Sequence, residues 1–166
     1  MKRLICLLSV IAFLSLSTTG WPADPTCTFT SPVKVKDGHK GVEITATCTT
    51  GTGVATFPTG AASVLIPNSN VYVGSYLYAV FAPVSLTTAV TNDSDLKLMQ
   101  YAATGPYDVL IGGGADGLDT SDNSFQPLIG GAPGAMPIYG PLYIDISGNS
   151  VNDAEQILVF KFIKPE

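Results

Sequence analysis

Beyond residue 23 the chain has no arginine, and His39 is the one histidine among all 166 residues. Six lysines face thirteen carboxylates in that stretch, which leaves a formal net charge of −7. Such a surface repels phosphate backbones and anionic membranes, and no cluster of lysines overrides it. Nucleic acid is therefore excluded as an expected partner.

Chemical motifs are equally scarce. His39 sits between Gly38 and Lys40, where it reads as a solvated turn residue. No G-x-S-x-G stretch and no His-based metal signature occurs. A Ser-His-Asp triad would have to be built on His39 with a serine that nothing marks. Carboxylates are numerous, but no spacing sets two of them across a substrate. The expectation is a protein without catalytic machinery, resident metal or cofactor.

Long hydrophobic runs are missing too, except at the start. Lys2 and Arg3 precede an apolar run from Leu4 to Leu16, followed by small polar residues. This run is too short to span a bilayer and has the form of a signal peptide. Cleavage is expected after Gly20 or Ala23, taking Cys6 with it. The reading is residues 1–23 as signal and 24–166 as one β-sandwich domain, secreted through the periplasm to the cell surface or beyond, without membrane insertion.

Two cysteines, Cys27 and Cys48, remain after export. In an oxidising compartment a pair is most simply a disulfide. Closing a loop of this length stabilises by about 3 kcal/mol on the chain-entropy model. The alternatives are two free thiols or half of a metal site, for which the chain has too few partners.

Helix signals are nearly absent. What is present is short strand-like segments punctuated by 17 glycines and 12 prolines. In Val42–Thr50, Val42, Ile44, Ala46 and Cys48 alternate with Glu43, Thr45, Thr47 and Thr49, the pattern of a half-buried strand. Before it, TFTSPVKVK carries Pro32, which suggests an edge or a bulge. Asp37-Gly38 fits the tight turn between them, and that hairpin sets Cys27 opposite Cys48. Further strands are expected in ASVLI, Val71–Ala82, VSLTTAV, DLKLMQYAA, YDVLI, AMPIYGPLYIDIS and the C-terminal QILVFKFI. Eight to ten short strands in an exported chain read as an all-β sandwich or barrel. In the last strand Leu158, Phe160 and Phe162 form one face, and Ile157, Val159, Lys161 and Ile163 the other.

Three segments raise binding questions. Asp116, Asp119 and Asp122 lie in the glycine-rich run GGGADGLDTSD, where they are either solvated turn residues or oxygen ligands for calcium. Tyr72, Tyr76 and Tyr78 share one parity, so a straight strand would make them either a sugar-stacking stripe or core. Asn92-Asp93-Ser94 has the form of a glycosylation acceptor.

Cys27-Thr28, Cys48, the segment Ala135-Met136-Pro137-Ile138-Tyr139-Gly140 and the final strand Gln156–Ile163 together resemble the spore coat protein U type of secreted β-sandwich, which includes subunits of archaic chaperone–usher pili. The likeness runs in order from Cys27 to Ile163. It implies an immunoglobulin-like β-sandwich that is incomplete and is completed by a donor strand. A periplasmic chaperone fills the groove first and a neighbouring pilus subunit afterwards, by strand addition. On this resemblance Leu158, Phe160 and Phe162 line the donor-strand groove. One departure stands out. The segment WPADP before Cys27 offers at most six residues, about 20 Å when extended, and its two prolines withhold ladder donors. A chain of this kind is a poor donor, and a tip position suits it better than the shaft.

The leading expectation is thus a structural or adhesive surface subunit assembled by strand complementation. The alternative is a self-contained secreted module that binds a glycan, of a host or another surface, or a protein.

Overall fold

The computed structural model describes residues 24–30, 32–35, 41–91, 93–102 and 105–165. The expected signal peptide, the turn Lys36–Lys40 with His39, and Asn92 of the glycosylation acceptor lie outside the described residues.

Thirteen strands follow in chain order: β1 (Thr26–Phe29), β2 (Val33–Val35), β3 (Gly41–Thr49), β4 (Val64–Leu65), β5 (Tyr76–Ala82), β6 (Asp95–Ala102), β7 (Gly105–Asp108), β8 (Asn123–Phe125), β9 (Leu128–Ile129), β10 (Ala132–Pro133), β11 (Met136–Pro137), β12 (Leu142–Ser147) and β13 (Glu155–Ile163). A 3-10 turn at Gly60–Ala62 precedes β4, and one helical turn, α1 (Ser69–Tyr72), follows it. The larger antiparallel sheet has the order β1-β3-β13-β5-β11, with β2 continuing the β1 margin and β8 the β11 margin. The smaller sheet is β4-β12-β6-β7, and β9 and β10 form a separate hairpin.

Strand alternation builds the core. On β3 Val42, Ile44, Ala46 and Cys48 are buried, while the residues between them are half-buried. On β13 the same rhythm buries Gln156, Leu158, Phe160 and Phe162. Leu96 and Leu98 of β6, and Leu142, Ile144 and Ile146 of β12, join them in one cluster. The two sheets therefore bury a common set of side chains. Each fully buried large apolar side chain is worth about 1.5–3 kcal/mol relative to exposure.

The sequence reading fails where local chemistry overrides apolar content. Val71–Ala82 is not one strand. Tyr72 closes α1, Gly74 turns the chain at φ +81°, and β5 begins only at Tyr76. A glycine serves there because other residues are strained at positive φ. VSLTTAV forms no strand. Ser85 and Thr87 instead donate their hydroxyls to Glu155 Oε1, at 2.9 and 3.1 Å, and Leu86 is 96% exposed. YDVLI stops being a strand at Asp108. Its carboxylate accepts the backbone N–H of Leu110 at 3.0 Å and of Gly112 at 3.1 Å, which folds the chain into a turn.

Every sheet margin is short or carries proline. β1 has four residues between Pro25 and the break at Pro32, β7 contains Pro106, and β11 contains Pro137. These features discourage further strand pairing.

Candidate binding surface

Cys27 and Cys48 are directly opposite in the β1–β3 register and are joined by a disulfide. The bond faces the core, with Cys48 fully buried. Free thiols and a half metal site are both ruled out for this pair.

Leu158, Phe160 and Phe162 lie on β13 in the middle of the larger sheet. Along one edge β13 pairs with β3 over all nine residues, from Glu155↔Thr49 to Ile163↔Gly41. Along the other it pairs with β5 from Val159↔Phe81 to Ile163↔Tyr76. All three side chains are buried. The backbone beside Phe160 and Phe162 is paired with β5, and the register shifts between Lys161 and Phe162, where Tyr78 of β5 has no opposite residue.

The opposite face of β13 is half-buried. Lys161 sits 3.0 Å from Glu43 Oε1, and its ammonium lies 4.4 Å above the Phe81 ring centroid. Both contacts cover apolar surface with the lysine stem. The outer residues of β13 are thus shielded within the chain, by Lys161 and by the threonines of β3.

The three loop aspartates do not converge. Asp119 Oδ1 accepts the Ser121 hydroxyl at 2.6 Å and the Ser121 N–H, and these bonds hold its carboxyl below the usual carboxylate range. Asp122 accepts the N–H of Val84 at 2.8 Å. Asp116 lies at a left-handed turn position and gives its N–H to Asp95. Among the described residues no three His, Cys, Asp or Glu side chains gather into a metal-holding group.

Nor do the three tyrosines of the expected stripe share a face. Tyr72 is fully buried, Tyr78 is half-buried at the bulge, and Tyr76 is exposed. Burial pushes the Tyr72 phenol above its ordinary pKa, against a smaller opposing effect of its hydrogen bond from Leu142.

Sequence reading missed a different pair of tyrosines. It lies at the end of the smaller sheet where β6 finishes, β7 begins and β12 begins. Tyr101 on β6 packs edge-on against Tyr143 on β12, with centroids 4.9 Å apart and planes at 87°. Tyr143 also pairs with Leu65 of β4, which is exposed. Tyr107 of β7 pairs with Gln100 and so lies on the opposite side of the sheet from Tyr101. Gln100 is buried and ties two segments to β6. Its Oε1 accepts the Tyr107 hydroxyl, and its Nε2 donates to the Gly140 carbonyl at 2.8 Å, fixing the segment that carries Tyr139. A Cβ at position 140 would lie 3.2 Å from that Nε2, so glycine lets the segment approach closely. Tyr139 is 77% exposed, Tyr101 51% and Tyr107 37%.

These tyrosines thus divide between two faces of the smaller sheet, with Tyr101 and Tyr143 together on the outer side and Tyr107 on the inner side with Gln100. Asp108 is committed to backbone N–H groups, while Asp145, two residues beyond Tyr143 on the same face of β12, accepts the Thr59 hydroxyl at 2.7 Å and the Gly60 N–H at 2.8 Å. The outer face is aromatic at Tyr101 and Tyr143, and Lys97 and Asp145 stand opposite each other further along the same face. Of these four tyrosines only Tyr107 and Tyr139 stand beside glycine or proline in the sequence. The pairing of β6 with β12 is what brings Tyr101 and Tyr143 together.

Comparison of the chain with family models, with curated proteins and with solved structures finds no match.

Proposed function

We propose that the chain is an exported, self-complete β-sandwich of immunoglobulin-like type that works as a binding module outside the cell, without a catalytic cycle. The observation that carries this reading is the position of β13. It is hydrogen-bonded to β3 on one edge and to β5 on the other, with Leu158, Phe160 and Phe162 already buried. A fold with its last strand inside needs no donor to close its core. The outward-facing Tyr101–Tyr143 pair, with exposed Leu65 opposite Tyr143, supplies the recognition surface, since tyrosine offers large rigid contact area together with a polar tip.

Strand complementation, as in the pilus family that the sequence resembles, is the second reading. The feature favouring it is that β1 and β7 close their sheets with outer edges unpaired among the described residues. A donor would then enter at a margin and not beside Phe160.

One experiment separates the two readings. The oxidised, exported chain is unfolded reversibly at micromolar concentration, alone and with a short peptide of alternating hydrophobic residues. A monomeric, cooperative transition that the peptide leaves unmoved is the expected result. A sharp rise in midpoint with the peptide overturns the first reading and supports the second.

A further inference from the structure

We propose that β1 is a strand held shut by the Cys27–Cys48 disulfide, and that reduction of this bond releases β1 and lets the vacated β3 edge accept β1 of a second copy of the chain. The inference goes beyond the binding-module reading, which concerns the oxidised chain. Three observations carry it.

The first is how little else holds β1. It has four residues, and among the described residues it pairs with β3 alone. Its inward side chains are Cys27, which is buried, and Phe29, which is only partly so. Thr26 and Thr28 face outward and are exposed. By contrast, β13 is laddered on both edges. Ordering β1 costs backbone entropy, and little apolar burial opposes that cost.

The second is the place of the covalent bond. Cys27 and Cys48 stand opposite each other within the β1–β3 ladder and are joined there. On the chain-entropy model a cross-link of this span favours the closed chain by roughly a hundredfold. Reduction removes that bias from the margin strand least able to do without it.

The third is the edge left behind. β3 has nine residues and no proline. β2 covers only residues 41–43 of it, so release of β1 opens residues 46–49. Ala46 and Cys48 are fully buried in the closed chain and would lose their cover. An open edge of this kind is a template for another strand. β1 of a second copy fits it residue for residue, with Thr28 opposite Thr47 and Cys27 opposite Cys48. The Thr28 hydroxyl also donates to the Thr47 carbonyl at 3.4 Å. Pro25 and Pro32 flank β1, so it can exchange as a unit without β2.

The chemistry is thiol–disulfide exchange. A dithiol attacks one sulfur of the bond and its second thiol resolves the mixed disulfide. The dithiol leaves as a cyclic disulfide, and Cys27 and Cys48 each gain one electron and one proton. A disulfide oxidant reverses this, either within one chain or from Cys27 of one copy to Cys48 of the other. Oxidation after export thus decides whether β1 closes its own chain or joins two.

The test has two arms. Amide hydrogen exchange of the exported chain is followed with the disulfide intact and in excess dithiothreitol. Protection of Thr26–Phe29 should fall by about a hundredfold on reduction, while β13 stays protected. In the other arm, Cys27→Ser and Cys48→Ser chains are mixed at high concentration and oxidised with glutathione disulfide. The Cys27–Cys48 heterodimer should dominate over both homodimers on non-reducing gels and in peptide masses. The Thr30 N–H bonds to the Thr45 carbonyl at 3.0 Å, so by the two-residue period of the ladder Thr28 is a donor as well. Thr28→Pro in the Cys48→Ser chain should therefore return the products to statistical proportions. The proposal is overturned by β1 amides that keep their protection in the reduced chain. Loss of protection in β1 and β13 together overturns it too, and so does statistical pairing of the cysteines without Thr28→Pro.

Discussion

The Tyr72 ring stacks on the Phe162 ring with centroids 5.1 Å apart and planes 19° from parallel. Its hydroxyl meanwhile donates to the Ile66 carbonyl at 2.9 Å and accepts the Leu142 N–H at 3.2 Å. One side chain on α1 thus touches β13 of the larger sheet and β12 of the smaller. Removing only the hydroxyl, as in Tyr72→Phe, keeps the stack and strands the buried Leu142 N–H. The expected loss is about 1–3 kcal/mol. Phe162→Ala should cost about 3–5 kcal/mol by opening a cavity. Urea midpoints of the two variants and of the double variant check both values. The coupling between the rings should come to about 0.5–1.5 kcal/mol.

The same phenol gives the chain an alkaline limit. Its pKa in the folded protein is raised by burial, so the unfolded chain loses that proton first as pH increases. The stabilisation is complete below the unfolded value of about 10 and is lost as pH climbs from there through the folded value. Denaturant midpoints above that pH should fall in the parent and fall less in Tyr72→Phe. Equal decline in both would show that other groups govern alkaline unfolding.

Reduction of Cys27–Cys48 frees a loop with a sequence separation of 21. The expected loss is about 3 kcal/mol. Comparing oxidised chain with chain held in excess reductant measures it. Cys27→Ala/Cys48→Ala should match the reduced protein to within the cost of the smaller side chains.

Gly114 should tolerate no side chain. Its carbonyl accepts the Leu96 N–H at 2.9 Å, and a Cβ there would sit 2.2 Å from the Leu96 carbonyl oxygen. Relief requires the turn to move away from β6. Gly114→Ala is expected to lose about 1–3 kcal/mol, read as a drop in thermal midpoint. Alanine at Gly130, with open space around it, meets only backbone strain and should cost less.

Where the sequence was legible, one interaction dominated. β3 and β13 alternate cleanly, so burial of one face sets their type, register and inward residues together. The cysteines fell into place because their parity agrees with that alternation. Elsewhere the deciding partner lies far along the chain. Glu155 holds Ser85 and Thr87 out of any strand from 70 and 68 residues away, and no local pattern announces it. Tyr72 reads as one of three equivalent tyrosines until Gly74 turns the chain between it and Tyr76. The Tyr101–Tyr143 contact was invisible for the same reason, since the two residues are joined only by the pairing of β6 with β12.

The placement of β1 and β13 about β3 has a mechanical consequence. Both run antiparallel to β3 and so point the same way. Thr26 stands beside Thr49 and Glu155 at one end of the sheet, and Ile163 leaves beside Gly41 at the other, about 27 Å away by strand rise. Tension applied between Asp24 and Lys164 would therefore draw these strands lengthwise past β3, loading the ladder bonds in shear and not unzipping them one at a time. The Cys27–Cys48 bond passes that load into β3 within one residue of Thr26. Under oxidising conditions β1 cannot slip, and the nine-residue β3–β13 pairing becomes the element that must yield.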